Sequence, residues 1–262
     1  LVNFILAIKS IGFITDRLLN SKMTLDFAYT LYLLLGNNNE IQKTEIKRYV
    51  QKWFILTTLT SRYINSPESQ FDRDIRSIQS KGFKAFFAET EAAELSDTFW
   101  EIGLVQSLET SSITSPYLNT YFAAQVYAGD RSLFSTSSKV ADLISVTGDV
   151  HHIFPREYLK QNGITDKAIY NQVANYTHLD TTVNISIGKK PPGEYFTAAF
   201  DQCIMGDTGI GTITDESILR ANLKDNCIPE GVKDMSAVDY PDFLRQRRAL
   251  MAKKIKEYYC SI

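Results

Sequence analysis

The chain has little cysteine, no excess of positive charge and no apolar run long enough for a membrane. Its three cysteines, Cys203, Cys227 and Cys260, are scattered and form no CxxC pair. That excludes a zinc ribbon or a disulfide framework and predicts reduced, structural thiols. Lys plus Arg number 28 against 30 Asp plus Glu, for a net charge of −2. There is no global basic field to attract nucleic acid, so any such surface must be local. The longest apolar stretches, such as Leu31 to Leu35, are far too short to span a bilayer. The start lacks the order of a secretory signal, and we expect a cytoplasmic protein without a membrane partner. The sequon matches at Asn175 and Asn184 are then coincidental. Because the chain begins at Leu1 rather than Met, it is expected to be a piece of a longer protein.

What remains is the composition of an ordinary globular chain: 262 residues, 44% hydrophobic and 22% charged, enough for a sizeable core. Apolar residues at helical intervals predict helices over Leu1–Leu19, from Ser21 or Thr24 to Gly36, and over Thr44–Tyr63, Phe71–Gln79 and Phe83–Leu95. Ser115-Pro116 and Gly129-Asp130 bracket another, Tyr117–Gly129, followed by a polar connection, Ser132–Ser138. Leu143–Val146 and Asp149–Ile153 carry the β-branched residues of strands. Short helices follow over Arg156–Gln161 and from Thr165 or Asp166 to Gln172. Then come a strand over Tyr176–Leu179 and a helical segment capped by Thr181 or Thr182 that carries Asn184. The remainder is helical, ending with Pro241–Tyr259, and Gly206–Thr212 is an ordinary loop rather than a phosphate cradle. The fold class expected is α+β, mostly α: a helical, bundle-like region over 1–110, then 111–262 with a small strand-rich unit at about 146–196 among helices.

Chemistry concentrates in Gly148-Asp149-Val150-His151-His152-Ile153-Phe154-Pro155, which holds all but one of the three histidines. Adjacent residues of a strand point to opposite faces, so one imidazole can bind a metal while the other meets water. Pro155 breaks the ladder and frees the loop. Asn175 and Asn184 follow, nine residues apart. A neutral-range base beside a divalent cation suits hydrolysis of a phosphodiester.

Asp149 to Pro155, Ala174-Asn175-Tyr176-Thr177 and Val183-Asn184 together resemble the motif of HNH, or ββα-metal, nucleases. More narrowly, His152-Ile-Phe-Pro, Ala174 to Asp180, Asn184 and Lys190 to Tyr195 are similar to the C-terminal domain of GmrSD-type modification-dependent restriction endonucleases. Trp53 to Tyr63 also resembles the helical middle of those proteins. The resemblance implies an inserted ββα-metal unit, DNA as partner and a setting in prokaryotic antiviral defence. It further implies His151 and Asn184 as metal ligands, His152 as general base and Asn175 as the residue that steadies the loop. It also implies 5′-phosphate and 3′-hydroxyl ends. Such proteins carry an N-terminal nucleotide-hydrolysing domain with an Asp-Gly-Gln-Gln-Arg motif, which this sequence lacks; that domain is expected on a missing segment or a separate subunit.

Two departures refine the expectation. Where many HNH enzymes place a further histidine, four residues beyond the helix ligand, this chain has Gly188. The remaining ligands, His151, Asn184 and waters, with Asp149 or His178 as supporting residues, favour Mg²⁺ or Mn²⁺ over tightly held Zn²⁺. The chain also lacks the cysteine pairs that staple some HNH domains, so the surrounding helices must hold the unit. Lys189, Lys190, Arg156 and Lys160 are the cations nearest the motif and can neutralise phosphates. The basic cluster Arg245, Arg247, Arg248, Lys253, Lys254 and Lys256 reads as the wet face of a docked helix, with DNA contact there left open. Two other readings stand beside DNA cleavage: a nuclease acting on RNA, and an inactive DNA-binding or assembly module of a restriction complex.

Overall fold

Helical periodicity sets most of the architecture. The computed structural model describes residues 1–37, 40–146, 150–206 and 208–262. Among these the chain is mostly helical with one small two-stranded antiparallel sheet. The first part holds α1 (Val2–Lys9), α2 (Lys22–Gly36), α3 (Lys43–Leu59), α4 (Pro67–Lys81), α5 (Phe83–Glu94) and the short α6 (Leu104–Ser107). α3 is the hub: Val50, Trp53, Phe54 and Leu56 are buried on it, and the Trp53 ring meets Phe27 and Phe86.

The interior of this part also holds a closed polar network. The Arg62 guanidinium donates from Nε and Nη2 to the two oxygens of Asp74 at 2.8 and 2.7 Å. The Tyr63 hydroxyl donates to the same carboxylate at 2.8 Å, and Gln70 donates to it at 2.8 Å. Asp74 is buried, so this near-saturation of its acceptor sites is what makes its charge tolerable.

The expected first helix, Leu1–Leu19, ends ten residues early, at Lys9. Gly12 is the reason. Its φ is +95°, and a Cβ there would stand 2.0 Å from the backbone oxygen of Ala123, so the chain turns at a contact only glycine permits.

The second part holds α7 (Pro116–Ala128), α8 (Val140–Val146), β1 (His151–His152), α9 (Arg156–Gln161), α10 (Lys167–Tyr170), β2 (Tyr176–Thr177), α11 (Thr181–Ile187), α12 (Pro192–Met205), α13 (Glu216–Asp225) and α14 (Tyr240–Ser261). The strand expected at Leu143–Val146 is instead the end of α8. Val140 and Ile144, four apart, are its buried residues, which is the helical interval; a four-residue window could not reveal it. The cap of α10 is Asp166, whose side chain accepts from the Ala168 N–H at 2.8 Å. α11 is preceded by Asp180 rather than by either threonine.

One buried cluster runs from Phe4 to Tyr259 through both parts. α14 ties them together. Tyr259 donates to Glu91 at 2.6 Å, and Arg48 donates to the backbone oxygen of Ile262 at 2.8 Å. The three cysteines are free thiols, with Cys227 buried. No helix among the described residues is long and apolar enough to cross a membrane.

Candidate active site

β1 and β2 pair antiparallel, with His151 opposite Thr177 and His152 opposite Tyr176. Beyond the ladder the Ile153 N–H donates to the Asn175 carbonyl at 2.8 Å. α11 follows β2 after three residues, giving the chain order strand, strand, helix. The strands are shorter than the sequence suggests because side chains take over their hydrogen bonding. Asn175 Oδ1 accepts from the Phe154 N–H at 2.7 Å, while its Nδ2 donates to the Phe154 and Tyr170 carbonyls at 3.0 and 3.2 Å. Asn175 is completely buried, and its amide bonds backbone on both sides.

His152 is partly buried. Its Nε2 lies 2.9 Å from Asn171 Oδ1, and its ring stands T-shaped to Tyr176 at 5.1 Å. Burial, the largest cause, lowers the His152 pKa below the usual imidazole value; the Asn171 hydrogen bond opposes this, and the charges of Arg156 and His151 add to it. His151, next along the strand, is also partly exposed. Asn184 is half-buried on α11 between Val183 and Ile187, which anchor that helix to the core. Gly188 closes α11 with a φ of +55°, and its N–H donates to the Asn184 carbonyl at 3.0 Å. Gly188 is thus the residue that ends this helix.

The other expected residues divide. Asp149 lies outside the described residues. His178 is not on the strand surface: it is buried with its ring 4.5 Å from that of Phe122, on the core side of β2. Arg156 and Lys160 both bond Glu157 Oε1, at 3.1 and 3.2 Å, and so bring less net charge than two cations would. Lys189 and Lys190 are exposed and have no carboxylate partner among the described residues.

Among the described residues no three His, Cys, Asp or Glu side chains converge as a metal site would require. A closed tetrahedral centre therefore does not fit these residues. His151 and Asn184 are both partly exposed.

Three supports came from residues to which the sequence reading gave no role here. Arg247, fully buried, donates from Nη1 to the carbonyls of Ala174 and Tyr176 at 2.8 and 2.7 Å, and from Nη2 to that of Asn226 at 3.2 Å. It is a clamp on the backbone either side of Asn175 and not a wet basic residue. A signal existed: Phe243, Arg247, Met251 and Ile255 recur every four residues, which puts Arg247 on the apolar face of α14. Tyr195 donates to the Ile153 carbonyl at 2.6 Å, and Tyr240 to those of Ile169 and Tyr170 at 3.1 and 3.3 Å. Of the remaining cations on α14, Arg248 meets Glu109, Lys254 meets Asp130 and Lys256 meets Asp97. No family model, no curated protein and no solved structure matches the chain.

Proposed function

We propose that the chain is a metal-dependent endonuclease of the ββα-metal type that hydrolyses DNA phosphodiester bonds. The observation that carries this reading is the register of β1 on β2. It sets two partly exposed imidazoles beside a buried asparagine that brackets Phe154, with an asparagine-bearing helix next in the chain. His152 takes a proton from water as that water attacks phosphorus. The bond to the 3′ oxygen breaks, and the ends left are a 5′-phosphate and a 3′-hydroxyl once solvent protonates the leaving oxygen. Burial lowers the His152 pKa, which favours the unprotonated form that a proton acceptor needs. A divalent ion such as Mg²⁺ or Mn²⁺, held by His151, Asn184 and water, would supply neutralisation of the charge that develops on the phosphate and leaving oxygen. Lys189 and Lys190 meet the DNA backbone, and no base-reading element enters the proposal.

The setting that suits this chemistry is the nuclease part of a cytoplasmic prokaryotic defence protein working with a nucleotide-hydrolysing partner. Plasmid nicking with Mg²⁺ or Mn²⁺, wild type against His152→Ala, tests the core of the reading. A loss on the order of 10²- to 10⁴-fold is expected on removing the base. Equal nicking by the two proteins would sink it.

A further inference from the structure

Asn171 sits in the turn after α10, a place without a recognisable sequence signal, yet it is the hydrogen-bond partner of His152. The contact is made at Nε2, at 2.9 Å, and His152 Nδ1 makes no hydrogen bond to a described residue. Tyr176 stands T-shaped to the same ring, at an interplanar angle of 80°, and limits its rotation. A neutral imidazole carries one N–H and one lone pair, so whatever meets Nε2 decides which nitrogen is basic. An acceptor oxygen there draws the hydrogen to Nε2 and leaves the lone pair on Nδ1. A donor there would do the opposite and leave Nδ1 without a lone pair.

We infer that Asn171 is a positioning residue that presents Oδ1 to His152, fixes the Nε2–H tautomer and makes Nδ1 the nitrogen that receives the proton from water. The last clause rests on the nuclease reading; the tautomer does not. Long-range ¹H–¹⁵N correlation spectra of the intact chain at a pH where His152 is neutral test the tautomer without any cleavage. The Nε2–H form is expected in wild type and in Asn171→Asp, which keeps an acceptor and loses the donor, with a mixture in Asn171→Ala. An Nδ1–H form in wild type overturns the inference.

Nicking kinetics add a second arm. Asn171→Ala should lower kcat on the order of 10- to 100-fold, the usual cost of losing an orienting partner, with KM unchanged. Asn171→Asp should recover most of that loss. Equal kcat for wild type and Asn171→Ala would overturn the role of Asn171 while leaving the nuclease reading intact. Absence of cleavage by wild type would instead overturn the nuclease reading, and the spectra alone would then decide the tautomer.

Discussion

Asn175 and Phe154 are joined in both directions, the Phe154 N–H to Oδ1 at 2.7 Å and Nδ2 to the Phe154 carbonyl at 3.0 Å. A side-chain amide here does what a peptide unit does in a sheet, and so extends a ladder of two residues per strand. Asn175→Ala would strip partners from the Phe154 N–H and carbonyl and leave the Tyr170 carbonyl to Tyr240 alone. At roughly 1–3 kcal/mol per stranded buried group, a loss of about 3–5 kcal/mol is expected in urea unfolding. Asn175→Asp should be at least as harmful, because it removes both donors and buries a carboxylate. Wild-type unfolding midpoints for both variants would refute the bracketing role.

Arg247 should behave as an interior residue despite its charge. Arg247→Met leaves the carbonyls of Ala174 and Tyr176 without the Arg247 donor and that of Asn226 with Tyr121 alone, and a loss of about 3–5 kcal/mol is expected. Arg247→Lys should lose less, since an ammonium replaces part of the fork but not its geometry. Arg245→Ala, two residues away and exposed, should stay within about 0.5 kcal/mol of wild type. Denaturant titrations of the three variants check the ranking.

For pH, the sign follows from His152. Its folded pKa is depressed below the ordinary 6.5, first by burial, so the unfolded chain binds the proton more readily. The contribution to stability is therefore complete above pH 6.5 and lost as pH falls through the folded value. Metal-free urea midpoints for wild type and His152→Asn, compared on either side of that window, should show a steeper acid decline in wild type. Parallel declines would assign the acid sensitivity elsewhere. The acid limb of cleavage should fall in the same window, below 6.5.

Among the cations, the unpaired ones should matter most for DNA. Replacing both Lys189 and Lys190 by Ala is expected to reduce the salt slope of DNA binding by about 2, one for each phosphate contact. Replacing Arg156 and Lys160 should change it less, because Glu157 already offsets part of their charge. Anisotropy titrations of a labelled duplex in EDTA, over a range of salt, measure both slopes. Equal reductions would mean that Glu157 lets go of its partners when DNA binds.

Much of the candidate site was legible because its signals are local. A histidine pair before a proline, an asparagine before a short β-branched run and an asparagine within a helical turn each announce their place in a few residues. The span of α9 was read correctly for the same reason. Leu143–Val146 misled because β-branched content spoke for a strand, while the deciding pair, Val140 and Ile144, straddled the window. Gly12 ends α1 because of a backbone 111 residues away, and Arg247 is buried by carbonyls 73 and 71 residues away. No local pattern reports such partners. Asn171 was invisible for a related reason, since its importance lies wholly in which ring it faces.

The clamp has a consequence for the order in which the protein is made. Ala174 and Tyr176 leave the ribosome well before Arg247, which arrives 73 residues after the first of them. Until α14 emerges, the carbonyls of Ala174 and Tyr176 lack the donor that Arg247 brings. A nascent chain thus carries every histidine of the site before it can hold them in place, and a truncated one never can. The backbone either side of Asn175 is thus held from α14 only once Arg247 has been made.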